Sequence, residues 1–233
     1  MSKEEKNENL IVLKLEHLPA IMKLQEEILA SLPSSDLYAP FSSHDFSRVL
    51  GEQDQGFSLG VFVAERLIAF ACVLFPGEGE DNLGYDLAFP AEEIRRVAHL
   101  EEAFVHPLYR GQKWQQQLFG ERRARIQAMG RYRHLCTTIS PFNYYSIKNA
   151  LAQGLVIKKL KRKYNNQWRF ILHQDLQMGH VLPVPSSLTK VVVDQRKKLE
   201  ETRLALLLEQ GSIATEVSRD DDHYTFTLLG KHR

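Results

Sequence analysis

Cysteine is almost absent from this 233-residue chain. Cys72 and Cys136 are the whole complement, and each lies inside an apolar run, AFACVLF and HLCTTIS. Two thiols so placed make neither a disulfide framework nor a zinc-ligand spacing, and buried free thiols are the usage of a reducing compartment. Net charge is equally scarce: 30 Lys and Arg against 29 Asp and Glu leave +1. That is too weak a field to draw nucleic acid or an anionic membrane. No apolar run approaches the roughly 20 residues of a membrane-spanning helix. The N-terminal MSKEEKNEN lacks the apolar core of a secretory signal. Repeats and low-complexity tracts are missing too. The expectation is a cytoplasmic protein with no nucleic-acid and no membrane partner.

What is present is an ordinary globular balance, and the length allows one domain with an appendage or two small domains. Leu10–Leu15 reads as a strand. His17–Ala30 reads as a helix, with Leu18, Ile21, Met22, Leu24, Ile28 and Leu29 at helical spacing. After a Ser- and Pro-rich loop, His44–Leu50 is a short helix capped by Ser42 or Ser43. Phe57–Ala64 and Leu67–Phe75 are apolar strands around a Glu65-Arg66 turn, and a helical turn follows Pro90. Arg95–Val105 is the next strand. Lys113–Met129 is a polar helix that points Leu118, Phe119, Ile126 and Met129 inward and ends at Gly130. Leu135–Ile139 is a strand and Asn143–Ala152 a helix stopped by Gly154. Leu155–Leu160 and Trp168–Leu172 are strands around the turn KRKYNNQ.

A composition shift at Leu182-Pro183-Val184-Pro185-Ser186-Ser187 divides the chain into residues 1–177 and an extension, 178–233. Asp194–Gln210 reads as a helix ending at Gly211, and Ile213–Val217 with His223–Leu229 as a hairpin around SRDDD. So short a tail cannot hold a core alone. It must pack on the main domain or on another subunit, and a homodimer fits as well as a clasp.

The segment Val97–Gln117, VAHLEEAFVHPLYRGQKWQQQ, carries the functional signal. A strand feeding a glycine turn and a helix N-terminus converges backbone N–H groups and the helix dipole on an anion. Val105-His106-Pro107-Leu108-Tyr109-Arg110-Gly111 resembles the V-x-P-x-Y-R-G that closes the fourth strand in the GNAT superfamily of acyl-CoA-dependent N-acyltransferases. The element order agrees over roughly Leu10 to Leu176. The resemblance implies an α/β (α+β) GNAT fold: a mixed, mostly antiparallel sheet with helices on both faces, here plus a C-terminal helix-hairpin extension.

It also implies acetyl-CoA as acyl donor and a small-molecule or peptide amine as acceptor. The fourth strand of that fold splays from the fifth, and pantetheine lies in the gap, held by the main chain of Phe104 and Val105. Arg110, Gly111, Gln112, Lys113, Trp114 and Gln115 would wrap the pyrophosphate. Lys113 and Gln115 replace the motif's two small residues. The expectation is that a helix N-terminus needs no positive φ, so the N–H donors survive and Lys113 adds a charge. Trp114 fits packing better than ligand contact. Of Arg122, Arg123 and Arg125, one is within range of a 3′-phosphate, but a solvated helix face is the plainer reading.

Strand alternation puts His99, Glu101, Ala103 and Val105 on one face and Leu100, Glu102 and Phe104 on the other. The resemblance places the general base at His99, six residues before Val105, and an imidazole titrates in the right range for that task. A hydrogen-bonded structural histidine is the competing reading. Glu101 would orient His99 or hold the substrate's ammonium. Asn143 and Ser146 match the family's later N-x-x-S/A, for the pantetheine arm. The tyrosine that often protonates the leaving thiolate is replaced by Ala150, so that role passes to Tyr144 or Tyr145, or is dispensable. Asp81 and Asp86 are candidates for shaping the acceptor pocket, and no metal site is expected. The basic run from Lys158 to Lys163 reads as a solvated hairpin. The main rival is a degenerate GNAT domain that binds acyl-CoA or another ligand without turnover, as a regulatory or interaction module.

Overall fold

A computed structural model describes residues 8–34, 37–50, 55–178, 187–194, 199, 202–221 and 223–230. The described chain runs β1 (Glu8–Leu13), α1 (Leu18–Ser31), α2 (Ser43–Leu50), β2 (Gly56–Val63), β3 (Arg66–Leu74), α3 (Leu83–Asp86), α4 (Ala91–Ile94) and β4 (Val97–Val105). It continues through α5 (Trp114–Ala128), β5 (His134–Ile139), α6 (Tyr144–Ala152), β6 (Val156–Lys163), β7 (Gln167–Asp175), β8 (Leu188–Asp194), α7 (Arg203–Glu209), β9 (Ile213–Asp220) and β10 (His223–Leu229). These elements form two compact units, Met1–Pro76 with Ala98–Arg131 and Gly77–Val97 with Tyr132–Arg233.

In the first unit the strands lie in the order β1-β2-β3-β4, each antiparallel to its neighbour. Both faces are covered, which is why β3 is a continuous apolar run instead of an alternating one. On one face Ile21, Leu24 and Ile28 of α1 and Phe46, Val49 and Leu50 of α2 pack on Leu67, Phe70, Cys72 and Phe104. On the other, Trp114 and Leu118 of α5 pack on Ile68, Ala69, Ala71 and Val105. A capping box starts α2: the Ser42 hydroxyl accepts from the Asp45 amide, and the Asp45 carboxylate accepts from the Ser42 amide. The inward face of α5 differs from expectation. Met129 is exposed, and Arg122 occupies the buried slot one turn after Leu118.

In the second unit the order is β5-β7-β6-β9-β10-β8, and the pairings described there are antiparallel. Tyr164, Asn165 and Asn166 all take positive φ (42°, 55° and 68°) and make the β6–β7 turn. The tail holds three strands. Val191 and Val193 are buried while Val192 between them is exposed, a period of two that makes 188–194 strand β8. The expected helix over 194–210 is confined to Arg203–Glu209, started by Thr202, whose hydroxyl accepts from the Ala205 amide. Residues 182–186 and most of 195–201 lie outside the described residues. Ile157 of β6 pairs with Ala214 of β9, and Phe226 of β10 meets Phe170 edge-on at 5.6 Å. The tail therefore extends the second unit's sheet.

Candidate active site

In the first unit, β3 and β4 pair as Ala69↔Val105, Phe70↔Phe104 and Ala71↔Ala103, then resume one residue out of step as Val73↔Leu100 and Leu74↔His99. Glu101 and Glu102 thus stand together opposite Cys72, a β-bulge that re-aims side chains. The bulge overturns the simple alternation. His99 pairs with Leu74 and Phe104 with Phe70, both packed toward α1 and α2, whereas Ala103 and Val105 face α5. Glu102 therefore joins His99 and Glu101 on the α1–α2 side instead of lying opposite them.

His99 is 3% exposed, and its Nδ1 lies 3.2 Å from Glu101 Oε1. Glu102 is buried beside the hydroxyl of Tyr38, a residue of the α1–α2 connection that the sequence reading passes over. Tyr38 has one phenolic proton and gives it to Gln25 Oε1 at 2.8 Å; Gln25 Nε2 in turn donates to the Phe41 carbonyl at 3.0 Å. That phenolic proton is therefore committed to Gln25 and not available to the neighbouring Glu102 carboxyl, which as a neutral acid carries its own. Burial first, and the neighbouring Glu101 charge after it, push the Glu102 carboxyl well above its usual range and so favour that neutral acid. Burial and the same two glutamates also push up the thiol of Cys72. Three polar residues in one apolar strand, H-x-E-E, were the available signal that the pleat is broken here.

From the α5 side the bulge is held by Arg122. Its Nη1 donates to the carbonyls of Cys72 (3.0 Å) and Glu101 (3.5 Å). The guanidinium is buried, not solvated, and burial draws it down to about 10. Its Nε has no hydrogen-bond partner among the described residues.

Beyond β4, the His106 amide donates to the Ile68 carbonyl, and His106 Nδ1 accepts from the Leu108 amide across one 3₁₀ turn, Pro107–Tyr109. Gly111 has φ 81°, with nothing within 4 Å of where a Cβ would stand. Lys113 is the N-cap of α5 at φ 64° and ψ 15°. The expectation that this position needs no positive φ is therefore wrong: it is left-handed, where a glycine is at ease and a lysine is not. Trp114 is buried in the α5 cluster, and its indole N–H turns back to Gln112 Oε1 at 3.2 Å. Arg110 reaches Ser31 Oγ at 3.5 Å, and Gln115 is half-buried in the first turn of α5. The side chains of Phe104 and Val105 pack on opposite faces of the sheet, which leaves only their main chain for binding.

In the second unit Asn143 is the N-cap of α6, its Oδ1 accepting from the Ser146 amide at 3.1 Å. Tyr145 is 67% exposed. Asp86 is bound by both Lys161 and Lys163 at 2.9 Å. The basic run is therefore pinned at two lysines, and Asp86 is engaged with them; Asp81 is exposed. Both cysteines are buried and unpaired.

No protein-family model and no curated protein matches the sequence. Solved structures do. Arabidopsis thaliana NAA60 in complex with acetyl-CoA has a TM-score of 0.60 at 11% identity, covering 73% of this chain and 99% of that one. A GNAT-family acetyltransferase of Streptococcus pneumoniae scores 0.55 at 11% identity, covering 72% and 99%. The PaiA N-acetyltransferase of Thermoplasma acidophilum, in complex with coenzyme A, scores 0.52 at 15% identity, covering 72% and 99%. At such identities the likeness is one of fold.

Proposed function

We infer that this chain, whose fold is that of the GNAT superfamily, is an N-acyltransferase moving an acetyl group from acetyl-CoA to a primary amine by direct transfer. The β4 bulge carries the reading. It sets a histidine against one carboxylate and turns a second to the same side of the sheet, on the strand that leads into a glycine turn and a fifteen-residue helix. A strand that only packed a core would gain nothing from polar groups that cost stability to bury.

The turn suits an anionic coenzyme. The space beside Gly111 is open, and the turn leads into the N-terminus of α5, where the helix dipole favours an anion. The residues of the first unit that would hold acetyl-CoA are Arg110, Gly111, Gln112, Lys113 and Gln115, with the main chain of Phe104 and Val105. Trp114 would serve by shaping the turn. When bound, the coenzyme supplies an activated thioester carbonyl.

The chain's own groups supply the proton handling. Glu101, accepting from Nδ1–H of His99, orients the ring. His99 is the proposed general base for the attacking amine, directly or through water. The Glu101 charge favours an incoming ammonium, so the acceptor is a small-molecule or peptide amine. A leaving thiol with a pKa of about 8.5 needs little acid help. A cytoplasmic setting belongs to the same proposal.

A second reading, ligand binding without turnover, is favoured by the left-handed Lys113 and by Ala150 in place of a tyrosine. Calorimetric titration with acetyl-CoA and desulfo-CoA, followed by an amine screen with a His99→Ala control, separates the two. Saturable binding that weakens in Gly111→Pro, with transfer that His99→Ala abolishes, supports the enzyme. Binding with no transfer to any amine supports the second reading. No binding to any CoA species sinks both.

A further inference from the structure

Strand β8 is the last in the second unit's sheet. β10 pairs with one of its sides, and among the described residues no strand pairs with the other. Its sequence, LTKVVVD, holds Thr189 and three consecutive valines, with neither proline nor glycine. Such a run is a template for a further strand, because its outward N–H and C=O groups lie in a row. Edges left to solvent are ordinarily guarded by proline, a bulge or lysine. In β8 that guard is Lys190 alone, and the pairing with β10 runs unbroken from His223↔Asp194 to Leu229↔Leu188.

The two faces of β8 differ. Val191 and Val193 are buried, on the side of Phe226 and Tyr224. Leu188 and Val192 are each 63% exposed, and Lys190 between them is exposed too. A strand added to this edge has to keep Val191 and Val193 on the buried side, so the open registers differ by two residues. For an antiparallel second copy of β8, one of them is self-complementary. With a two-fold axis at Val192, Lys190 of each copy stands opposite Asp194 of the other, and Val191 opposite Val193. An axis at Lys190 would set two ammonium groups face to face, and axes at Val191 or Val193 would set an apolar side chain against Asp194.

We propose that β8 is the contact through which two copies of this chain associate, edge to edge, as an isologous antiparallel pair that continues the sheet across a two-fold axis. The main-chain groups supply the attraction, and the two Lys190–Asp194 pairs select the register. The C-terminal extension then has two parts to play: its inner face completes the second unit, and its outer edge recruits the partner. The contact does not depend on the acyl-transfer reading.

The test is sedimentation velocity of the full chain over a concentration series, for wild type, Lys190→Glu, Asp194→Lys, the double variant with both changes, and Val192→Lys. A strand-edge contact is small, so wild type is expected to dimerise in the micromolar range. Lys190→Glu and Asp194→Lys each set like charges opposite one another twice and should weaken the dimer about tenfold or more. The double variant restores opposite charges in exchanged positions and should return to within about threefold of wild type. Val192→Lys puts two ammonium groups on the axis and should leave a monomer. Thermal melts check that each variant folds. An independent readout is Val192→Cys, which oxidised glutathione should link into a covalent dimer, because opposed residues of a strand pair lie within disulfide range. Lys190→Cys should not link, and the native Cys72 and Cys136 are buried. Should Asp194→Lys disturb the fold, Lys190→Glu, Val192→Lys and the two cysteine variants still decide. A wild-type chain that stays monomeric to about 100 μM would overturn the proposal. So would a dimer indifferent to Lys190→Glu and Val192→Lys, or a folded double variant that fails to recover.

Discussion

Replacing Lys113 by glycine should make the protein more stable, although it removes a whole side chain. Lys113 is exposed and sits at φ 64° and ψ 15°. For an L-residue the left-handed helical region costs roughly 1–2 kcal/mol. Glycine escapes that cost but brings an unfolded chain with more freedom to lose, worth about 0.5–1 kcal/mol. The balance is a gain of about 0.5–1 kcal/mol, which in a chain of this size raises Tm by about 1–4 °C. Lys113→Ala is the control, because alanine keeps the strained φ while losing the ammonium; it should melt within about 1 °C of wild type. Differential scanning calorimetry on the three proteins decides the matter. If Lys113→Gly is no more stable than Lys113→Ala, the turn does not store the strain assigned to it. The same proteins titrated with CoA show what the lysine does for binding. A Cβ that obstructs phosphate predicts tighter binding by glycine alone, whereas an ammonium that pairs with phosphate predicts weaker binding by both variants.

Three further outcomes follow from buried polar groups. Arg122→Ala would strand the carbonyls of Cys72 and Glu101 that now share Nη1; a loss of about 2–4 kcal/mol in urea unfolding is expected, and a loss below about 1 kcal/mol would mean the bulge does not depend on it. Glu102→Gln should be more stable than wild type at neutral pH. A folded-state carboxyl held above its unfolded value keeps its proton while the unfolded chain loses it, so stability falls as pH rises above about 4.5, a dependence glutamine lacks. The advantage should grow with pH; a glutamine variant that is less stable at pH 8 than wild type would show Glu102 to be ionised. His173 is buried, and burial, then the nearby Lys158 charge, hold its imidazole down to about 3. With the folded pKa depressed, the unfolded chain takes up a proton first as pH falls below about 6.5, and stability drops by about 1.4 kcal/mol per unit. Between pH 6.5 and 5 the loss from this group alone is about 2 kcal/mol, and His173→Gln should flatten the profile. An unchanged slope in that variant would mean His173 titrates normally.

The fold was legible where period decides it. The two-faced burial of β3, the turn at Tyr164–Asn166 and the C-terminal hairpin all follow from local pattern and turn chemistry. β8 was not, because a short run of valines beside a Pro- and Ser-rich stretch has no local signal to set it against the helix that follows. The residue set of the candidate site was readable from the motif, but its geometry was not. One extra residue in β4 moves Glu102 across the sheet relative to strict alternation, and a bulge is a property of the pair β3–β4, not of either strand's sequence. Arg122 was misread for the related reason that its partners are backbone carbonyls exposed by that bulge, and Tyr38 because its partner lies 64 positions away.

The departures from the motif that the turn resembles then weigh unequally between the proposed turnover and mere binding. Lys113 and Gln115 alter the turn that would hold phosphate, and Ala150 removes a proton donor that a thiolate leaving group scarcely needs. None of the three touches the bulge. A chain that had kept only a binding role would have no reason to hold a histidine, two glutamates and an arginine within one bend of a core strand. Each costs desolvation that apolar residues of similar volume would avoid. Here all four stand together: Arg122 bonds the bulge carbonyls, Glu101 meets His99, and Glu102 is buried in the same bend. Replacing that set by apolar residues, as in a combined His99→Leu and Glu101→Leu variant, should raise stability while abolishing transfer. A core that merely tolerated its polar residues would gain the stability and keep whatever activity it had.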